Sequence, residues 1–362
     1  VALLLALLCL LLPVLAQGAR QDYHFRVIDS RSGLAQNTIN ALLHDSRGFD
    51  WIGTEGGLHR YDGYGLRLFL HDPDDPTSLP ESFITALAED DAGRLWVGTN
   101  TRFLASIDLA SGRVERHLLA RSEGGKGHRD RVTGLLHQPG VGLWVSTGQG
   151  VELFHPETGL RERRLSFEGD IEGSLRLAGL ALQSDGSVLV ATHEGLFLFA
   201  PGATLPRRLG PRQRLHALAL QDDQAWIGAD DGLYRWRRGE REPQRVWPEE
   251  GRGLPVRAIA LDPQQQLWLA LHNSGLVRLD PTTGTRLRLR HDPDQEQSLH
   301  EDRLARLMIS RSGLLWVGGE ARGVATARPE GALFSRISET RSELDPVLVN
   351  NIRTVHEDIE GQ

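Results

Sequence analysis

One short stretch recurs along the whole chain and limits what the chain can fold into. In its first copy, residues 48–62, a glycine turn precedes the apolar segment 51–54, and a second glycine turn at 55–57 precedes another strand-like segment. Seven copies follow one another, with their anchor positions 37 to 48 residues apart. The anchors are Trp51, Trp96, Trp144, Leu189, Trp226, Trp268 and Trp316. A period of about 40 residues with strand-like content indicates a repeat architecture.

Each copy is predicted to form four short strands. In the first copy we place them at residues 39–44, 51–54, 58–61 and 66–70. The turns between them carry Asp and Gly, which bond the local backbone and adopt left-handed conformations. No segment shows a sustained helical apolar period. The sequence therefore predicts an all-β fold, a seven-bladed β-propeller of four-stranded blades with one large anchor between neighbouring sheets.

This pattern resembles the two-component-regulator propeller repeat, in which an inner strand and a D-x-x-G turn lead to L-W-I-G-T, a G-L strand and D-x-x-T-G. Residues 108–112 and 280–284 match the last part, and residues 71–79 and 291–299 match the linker between blades. The resemblance covers residues 23 to 362. The departures are Leu189 in place of Trp, and Ala229, Leu271 and Gly319 in place of Thr.

The resemblance implies a function as well as a fold. Propellers of this family form the periplasmic sensor region of hybrid histidine kinases or diguanylate cyclases, and their ligands are often carbohydrates. None of the output machinery lies in these residues, so the chain is expected to be a non-enzymatic fragment of a longer signalling enzyme. The implied partners are a small polar ligand, a second propeller and the downstream signalling domains, with membrane contact only through the missing C-terminal part. A homodimer is compatible with this arrangement.

The first residues predict export. Residues 1–16 are apolar and uncharged, too short for a comfortable membrane span, and end with Val14 and Ala16 at positions suited to signal peptidase. We expect an N-terminally clipped signal peptide cleaved after Ala16, a retained membrane anchor being the alternative. Cleavage would remove Cys9, the only cysteine, which excludes disulfides and thiol catalysis and suits a periplasmic protein.

The rest of the chain divides into one complete and one incomplete unit. We predict that residues 17–332 form the propeller and that residues 333–362 begin a second propeller, because the pattern at Phe25 returns at Phe334. We also predict that residues 23–29 close the ring by pairing with the third strand of the last blade, near residues 324–328. Closure removes open sheet edges that would otherwise template aggregation.

The sequence contains no convincing catalytic or cofactor motif. The net charge of −7 gives no indication of a nucleic-acid-binding surface. The sequence contains no phosphate loop, nucleophile elbow, paired-histidine motif or cysteine metal site. We therefore predict no catalytic residue, no metal and no cofactor. The Asp residues at positions 45, 90, 222 and 262 are interpreted as turn residues rather than calcium ligands.

The turn after each second strand is the least uniform part of the repeat. Equivalent turns of a propeller meet on one face, and variable loops on a rigid scaffold commonly carry binding sites. The ligand-binding candidates are Arg102, His193, Asp230, His272, Asn273 and Arg322. Two alternatives stay open: a propeller lyase or glycosidase, which needs His, Arg or carboxylates clustered at one channel mouth, and an interaction scaffold, which needs an exposed apolar patch.

Overall fold

The computed structural model describes residues 23–101, 103–119, 131–166, 177–248, 251 and 253–331. They contain 28 strands and a single 3-10 turn at Ser30–Ser32, and the strands form seven antiparallel sheets of four. The predicted all-β, seven-bladed propeller is confirmed. It occupies the compact unit Phe25–Pro329, whereas residues 1–22 and 332–362, including the predicted signal peptide and second propeller, lie outside the described residues. Within the described residues, no helix has the length and apolarity needed to cross a membrane.

Each blade runs from an inner strand to an outer strand in chain order. Blade 1 consists of β2 (Ile39–His44), β3 (Asp50–Thr54), β4 (Leu58–Tyr61) and β5 (Leu66–Phe69). Blade 2 consists of β6 (Ile84–Glu89), β7 (Arg94–Thr99), β8 (Phe103–Asp108) and β9 (Val114–Leu118). Blade 3 consists of β10 (Val132–Gln138), β11 (Gly142–Thr147), β12 (Gly150–Phe154) and β13 (Arg161–Ser166).

The next three blades repeat this order. Blade 4 consists of β14 (Leu177–Leu182), β15 (Val188–Thr192), β16 (Gly195–Phe199) and β17 (Arg207–Leu209). Blade 5 consists of β18 (Leu215–Gln221), β19 (Gln224–Ala229), β20 (Gly232–Arg237) and β21 (Gln244–Trp247). Blade 6 consists of β22 (Val256–Leu261), β23 (Leu267–Leu271), β24 (Gly275–Leu279) and β25 (Arg286–Leu289).

Blade 7 combines the two ends of the propeller. It consists of β26 (Leu304–Ile309), β27 (Leu315–Gly319), β28 (Val324–Ala327) and, as its outer strand, β1 (Arg26–Ile28). Val27 lies opposite Ala325 in an antiparallel register. The inner strands contact one another in the order β2, β6, β10, β14, β18, β22 and β26, and β26 returns to β2. The predicted closure of the ring by the N-terminal strand is therefore confirmed.

The anchor residues fill the space between neighbouring sheets. Trp96 has no exposed surface and packs against Val132, Leu143, Val145 and Phe154 of the following blade. Its ring meets the Phe154 ring edge-on, with centroids 5.8 Å apart. The other six anchors are at most 4% exposed, and the leucine of blade 4 is fully buried. An aromatic residue is favoured here because it buries a large apolar area in one wedge.

The glycine of the L-W-I-G-T pattern allows neighbouring blades to approach closely. A Cβ atom at Gly98 would lie 2.5 Å from Cγ1 of Val132, the first residue of the next inner strand. Gly53 stands in the same relation to Ile84, and Gly318 to Ile39. Real Cβ contacts are not this short, so the repeat keeps glycine at these positions for packing.

Candidate functional site

Every inner strand carries a β-bulge at its second residue. In blade 1, Ile39 pairs with Thr54 and Ala41 pairs with Gly53, so that Asn40 has no partner across the sheet. The same register shift occurs in the other six blades. The seven bulged residues are Asn40, Thr85, Thr133, Ala178, His216, Arg257 and Ala305. A bulge re-aims the extra residue, and here it does so once per blade around the ring.

All seven bulged residues line one cavity at the axis of the propeller. Its volume is about 610 Å³. Turns that follow second strands contribute Glu55, His193, His272 and Glu320 to its wall. Arg131 and Arg303, each directly before an inner strand, add two guanidinium groups. The axis thus has a polar, charged cavity to which all seven blades contribute.

Three side chains from blades 5 and 6 form a hydrogen-bonded chain beside this cavity. Oδ1 of Asp230 lies 2.5 Å from Nε2 of His216, and Nδ1 of His216 lies 3.2 Å from Nη1 of Arg257. A carboxylate only accepts, so Nε2 of His216 carries the hydrogen. The guanidinium only donates, so Nδ1 of His216 is the acceptor. The imidazole is therefore neutral in this arrangement.

The surroundings of His216 favour its neutral form. Its side chain is 5% exposed. Burial lowers the pKa of His216, and the charge of Arg257 adds to this effect, although the hydrogen bond to Asp230 acts in the opposite direction. The His193 ring stands edge-on to His216 with centroids 5.4 Å apart. The cluster thus holds a neutral imidazole next to a cationic guanidinium.

The remaining charged groups of the cavity differ in their partners. Arg303 forms an ion pair with Glu320, with an Nη2–Oε2 distance of 2.5 Å. Arg306 donates from Nε to the carbonyl of Asn40 at 2.6 Å and therefore ties blade 7 to blade 1. Arg131 donates to the side-chain amide oxygen of Asn100 at 3.3 Å. Among the described residues, the lining contains four arginines and two glutamates.

The structure brings some of the sequence-predicted candidates together at the cavity. His193 and His272 line it, and Asp230 reaches it through His216. Asn273 is exposed beside it, with its amide nitrogen 3.2 Å from Nε2 of His272. Arg102 lies outside the described residues, so its place at the site stays a prediction.

Arg322 has a different position, against the linker between blades 6 and 7. Its Nη1 donates to Nε2 of His291 at 3.0 Å and to the carbonyl of His300 at 3.3 Å. Nδ1 of His291 in turn donates to the carbonyl of Leu299 at 2.8 Å, and His71 makes the matching bond to Leu79 at 2.7 Å in the linker between blades 1 and 2. The contacts of Arg322 described here hold a linker, and it is not among the residues that line the axial cavity.

The sequence prediction missed the bulged residues, above all His216 and Arg257. A signal for them exists. The second position of the inner strand is polar in five of the seven copies, and in those five it stands between a large apolar residue and an alanine or glycine, as between Ile39 and Ala41. In a strand without a bulge, this side chain would lie between neighbouring blades, where burial of a polar group costs free energy. Among the described residues, no three His, Cys, Asp or Glu side chains are grouped to hold a metal ion.

One segment of the chain matches a known protein family. Residues 78–101, which span the end of the first linker, β6 and β7, match the family described as "Two component regulator propeller". These residues are similar to one repeat of that family. A curated relative, Histidine kinase P4 of Formosa agariphila, is 26% identical to this chain over 68 residues, which are 19% of this chain and 5% of the kinase.

Solved structures similar to this chain include extracellular domains of signalling proteins. Those of a putative one component system and a putative hybrid two component system of B. thetaiotaomicron share 20% and 17% identity with it, with TM-scores of 0.67 and 0.69. Each match covers 84% of this chain and only 40% and 42% of those chains. Streptogramin B lyase also matches, at 12% identity and a TM-score of 0.65, over 86% of this chain and 99% of the lyase. At these identities the likenesses establish the fold alone.

Proposed function

We propose that this propeller is the extracytoplasmic ligand-sensing part of a transmembrane signalling protein, a hybrid histidine kinase or a diguanylate cyclase. In this proposal the chain is exported to the periplasm and the full-length protein is anchored in the inner membrane. A second propeller and the output domain follow in the same chain, and a homodimer is the signalling unit. The family repeat, the histidine kinase relative and the extracellular domains with the same fold support this assignment.

The axial cavity is the observation that carries the proposal. A cavity of about 610 Å³ falls within the size range of small-molecule sites, and its lining is polar and charged. Because each blade contributes a bulged side chain, a ligand there would contact blades that are far apart in sequence. Such a ligand can bias the arrangement of the whole ring, provided that it binds one arrangement better than another. A small polar ligand, such as a carbohydrate, fits this lining.

A substitution that fills the cavity tests the proposal. Ala305 is a bulged residue in the lining, so Ala305→Trp should occupy the ligand volume while leaving the strand pairing of blade 7 intact. Ala110→Trp, in an exposed turn of blade 2, is the matched control. In the full-length protein, we expect Ala305→Trp to abolish ligand-stimulated autophosphorylation or cyclase output and Ala110→Trp to retain it. A normal response from a folded Ala305→Trp protein would overturn the proposal.

A lyase or glycosidase is the second candidate function. The cluster of His193, His216, Arg257 and Asp230 at the channel is the arrangement that such an enzyme requires, and streptogramin B lyase has the same fold. However, both ring nitrogens of His216 are hydrogen-bonded, and its neighbour on one side is a cation, which does not suit a general base. Release of product from acidic oligosaccharides by the purified chain, lost in His216→Asn, would support this function over sensing.

An interaction scaffold has less support. It needs a contiguous exposed apolar patch, but in the described part of the chain the most exposed large apolar side chains, Tyr64, Leu160 and Leu205, belong to three different blades. Single exposed apolar residues are normal on soluble proteins.

A further inference from the structure

We infer that the linker between blades 6 and 7, residues 291–299, binds a guanidinium group through a ring of oxygens, most of them backbone carbonyls. The described lining of the axial cavity contains none of these residues, so this site is distinct from that cavity and does not depend on the proposed sensing function. Three observations support it. An arginine fills the matching linker between blades 1 and 2, the two linkers have the same internal bonds, and a valine stands at the position of that arginine in blade 7.

The linker between blades 1 and 2, residues 71–79, shows what such a loop binds. Arg116, on the outer strand β9 of blade 2, donates from Nε to the carbonyl of Ser78 at 2.9 Å. Its Nη2 lies 2.8 to 3.4 Å from four further oxygens of the same loop. These are the carbonyl oxygens of Asp72, Asp75 and Leu79 and Oγ of Ser78. One edge of the guanidinium is therefore surrounded by five oxygens from a single loop.

The linker between blades 6 and 7 repeats this loop. Both linkers begin with His-Asp-Pro-Asp, end with Ser-Leu and have the same length. Oγ of Ser298 accepts from the N–H of Asp292 at 3.0 Å and donates to its carbonyl at 2.8 Å, and Ser78 makes the same two bonds with Asp72 at 2.8 and 3.0 Å. The oxygens that match those around Arg116 therefore have the same arrangement. They are the carbonyl oxygens of Asp292, Gln295, Ser298 and Leu299 and Oγ of Ser298.

Valine stands where the linker of blade 7 would meet the arginine. Arg116 pairs with Ala105 in blade 2, and Val27 of β1 pairs with Ala325 at the matching position of blade 7. Valine has no side-chain donor. Within the described part of the chain, the hydrogen bonds to the carbonyls of Asp292, Gln295 and Leu299 come from groups of the linker itself. The ring of acceptors thus recurs in blade 7 without an arginine on the outer strand.

The linker adjoins β1 closely enough for this comparison to hold. The N–H of Phe25, directly before β1, donates to the carbonyl of Gln297 at 3.0 Å. The outer strand of blade 7 therefore lies beside its linker, as β9 lies beside the linker that Arg116 contacts.

The arrangement suits a guanidinium better than a metal ion. In the linker between blades 1 and 2, the oxygens lie 2.8 to 3.4 Å from Nη2 of Arg116, whereas Ca²⁺ binds oxygens at about 2.3–2.6 Å. The acceptors also face two nitrogens on one edge of a planar group, which a guanidinium matches and a spherical ion does not. The linker of blade 7 carries the carboxylates of Asp292, Asp294 and Glu296, which attract a cation.

Binding of methylguanidinium to the purified chain tests this site. The amide resonances of Asp294, Gln295 and Ser298 are followed by ¹⁵N NMR. Methylurea, which has donors without charge, and tetramethylammonium, which has charge without donors, are the comparison probes. We expect methylguanidinium to shift these resonances in a saturable way and to bind about fivefold or more tightly than either of the other two. Equal binding of the three probes would overturn the inference.

A guanidinium can reach the linker from two sources, a small guanidino compound or an arginine of the chain outside the described residues. Arg336 is the candidate of the second kind, because it follows Arg116 at the same distance in sequence as the second linker follows the first. If Arg336 supplies the group, Arg336→Gln shifts the linker resonances and opens the site to methylguanidinium, whereas Arg341→Gln does neither. If it does not, the parent and both variants bind the probe equally. Absence of binding in the parent and in Arg336→Gln would overturn the inference.

Val27→Arg, introduced in the chain that binds the probe, tests the location of the site. It places a guanidinium on β1 at the position of Arg116, so we expect it to abolish binding of methylguanidinium and to raise the urea midpoint of unfolding. Leu68→Arg, at an exposed position on the outer strand of blade 1, adds the same charge elsewhere and should retain binding. A folded Val27→Arg protein that binds the probe like its parent would overturn the inference.

Discussion

Asp45 accepts the indole hydrogen of Trp51 through Oδ2 at 2.7 Å, and both residues are at most 1% exposed. Oδ1 of the same carboxylate accepts from the backbone N–H groups of Arg47 and Phe49 at 3.0 and 2.9 Å. One side chain therefore fixes both the turn and the anchor of blade 1.

The same relation recurs in other blades with some variation. Asp90 and Asp262 bond Trp96 and Trp268 in this way at 2.7 and 2.9 Å. Oδ1 of each also accepts from two backbone N–H groups of its turn, which confirms the prediction that these are turn residues. In blade 5 the acceptor is Gln221, at 2.7 Å from Trp226. Asp222 also lies in a turn, as predicted, but it comes one residue after the acceptor position and is exposed, with a φ of 50°.

We predict that Asp45→Asn lowers the free energy of unfolding by about 1–3 kcal/mol. Asparagine has a single acceptor oxygen, so it cannot serve both the indole and the turn. Urea unfolding followed by tryptophan fluorescence measures the change. Asp222→Asn is the control and should change stability by no more than about 0.5 kcal/mol, because asparagine adopts a left-handed conformation readily. Equal losses in the two variants would refute this account.

In blade 7 the missing acceptor for the indole can be added by mutation. Ser310 occupies the position equivalent to Asp45, and among the described residues no acceptor bonds Nε1 of Trp316. We predict that Ser310→Asp supplies this acceptor and raises the free energy of unfolding by about 1 kcal/mol. A carboxylate is tolerated at the equivalent position of blade 1, where the buried Asp45 accepts from the indole of Trp51 and from two backbone N–H groups.

A double-mutant cycle isolates the effect of the new bond. In a Trp316→Phe background the indole donor is gone, so Ser310→Asp should no longer stabilise the protein. A gain that persists with phenylalanine would mean that the aspartate acts through the turn alone.

Because β1 closes the ring, we predict that truncating one of its buried side chains lowers the free energy of unfolding substantially. Ile28 is 6% exposed and belongs to the apolar cluster of Trp316 and Val324. We expect Ile28→Ala to cost about 2–4 kcal/mol, measured by thermal and urea unfolding. Leu68→Ala, on the outer strand of blade 1 and 40% exposed, should cost much less. A minor effect at Ile28 would show that β1 contributes little to closure.

We predict that the buried His300 makes the free energy of unfolding depend on pH. Burial lowers its pKa to about 4, with the charges of His291 and Arg322 adding to burial and the bond to the carbonyl of Gly323 opposing it. Between pH 6.5 and 4 the unfolded chain therefore binds a proton that the folded chain does not, so this group removes stability as the pH falls through that range and has no effect above it.

Comparison with a variant separates His300 from the other titrating groups. The parent should lose about 2 kcal/mol more than His300→Gln when the pH is lowered from 7 to 5, because glutamine does not titrate. Unfolding free energies measured at both pH values give this difference. Curves that stay parallel for the two proteins would contradict the assigned role of His300.

The sequence by itself determined the architecture of this protein. The spacing of anchors such as Trp51 and Trp96 gives the number of blades, and the Asp and Gly residues between strands give the turns, because both depend on interactions within a few residues. The likeness between the segments at Phe25 and Phe334 even indicated which strand closes the ring, as the pairing of Val27 with Ala325 confirms.

Only the tertiary structure decided which side chains meet at the axis. In a regular strand, successive side chains alternate between the two faces of the sheet, and a register shift of one residue exchanges the faces. The sequence alone therefore did not show that the side chains of His216 and Arg257 face the axial cavity. The bulge at each inner strand sets this register, and it forms where the seven inner strands converge on a narrow axis. The contact of His216 with Arg257 likewise joins two blades, and such contacts depend on how the sheets pack rather than on local sequence.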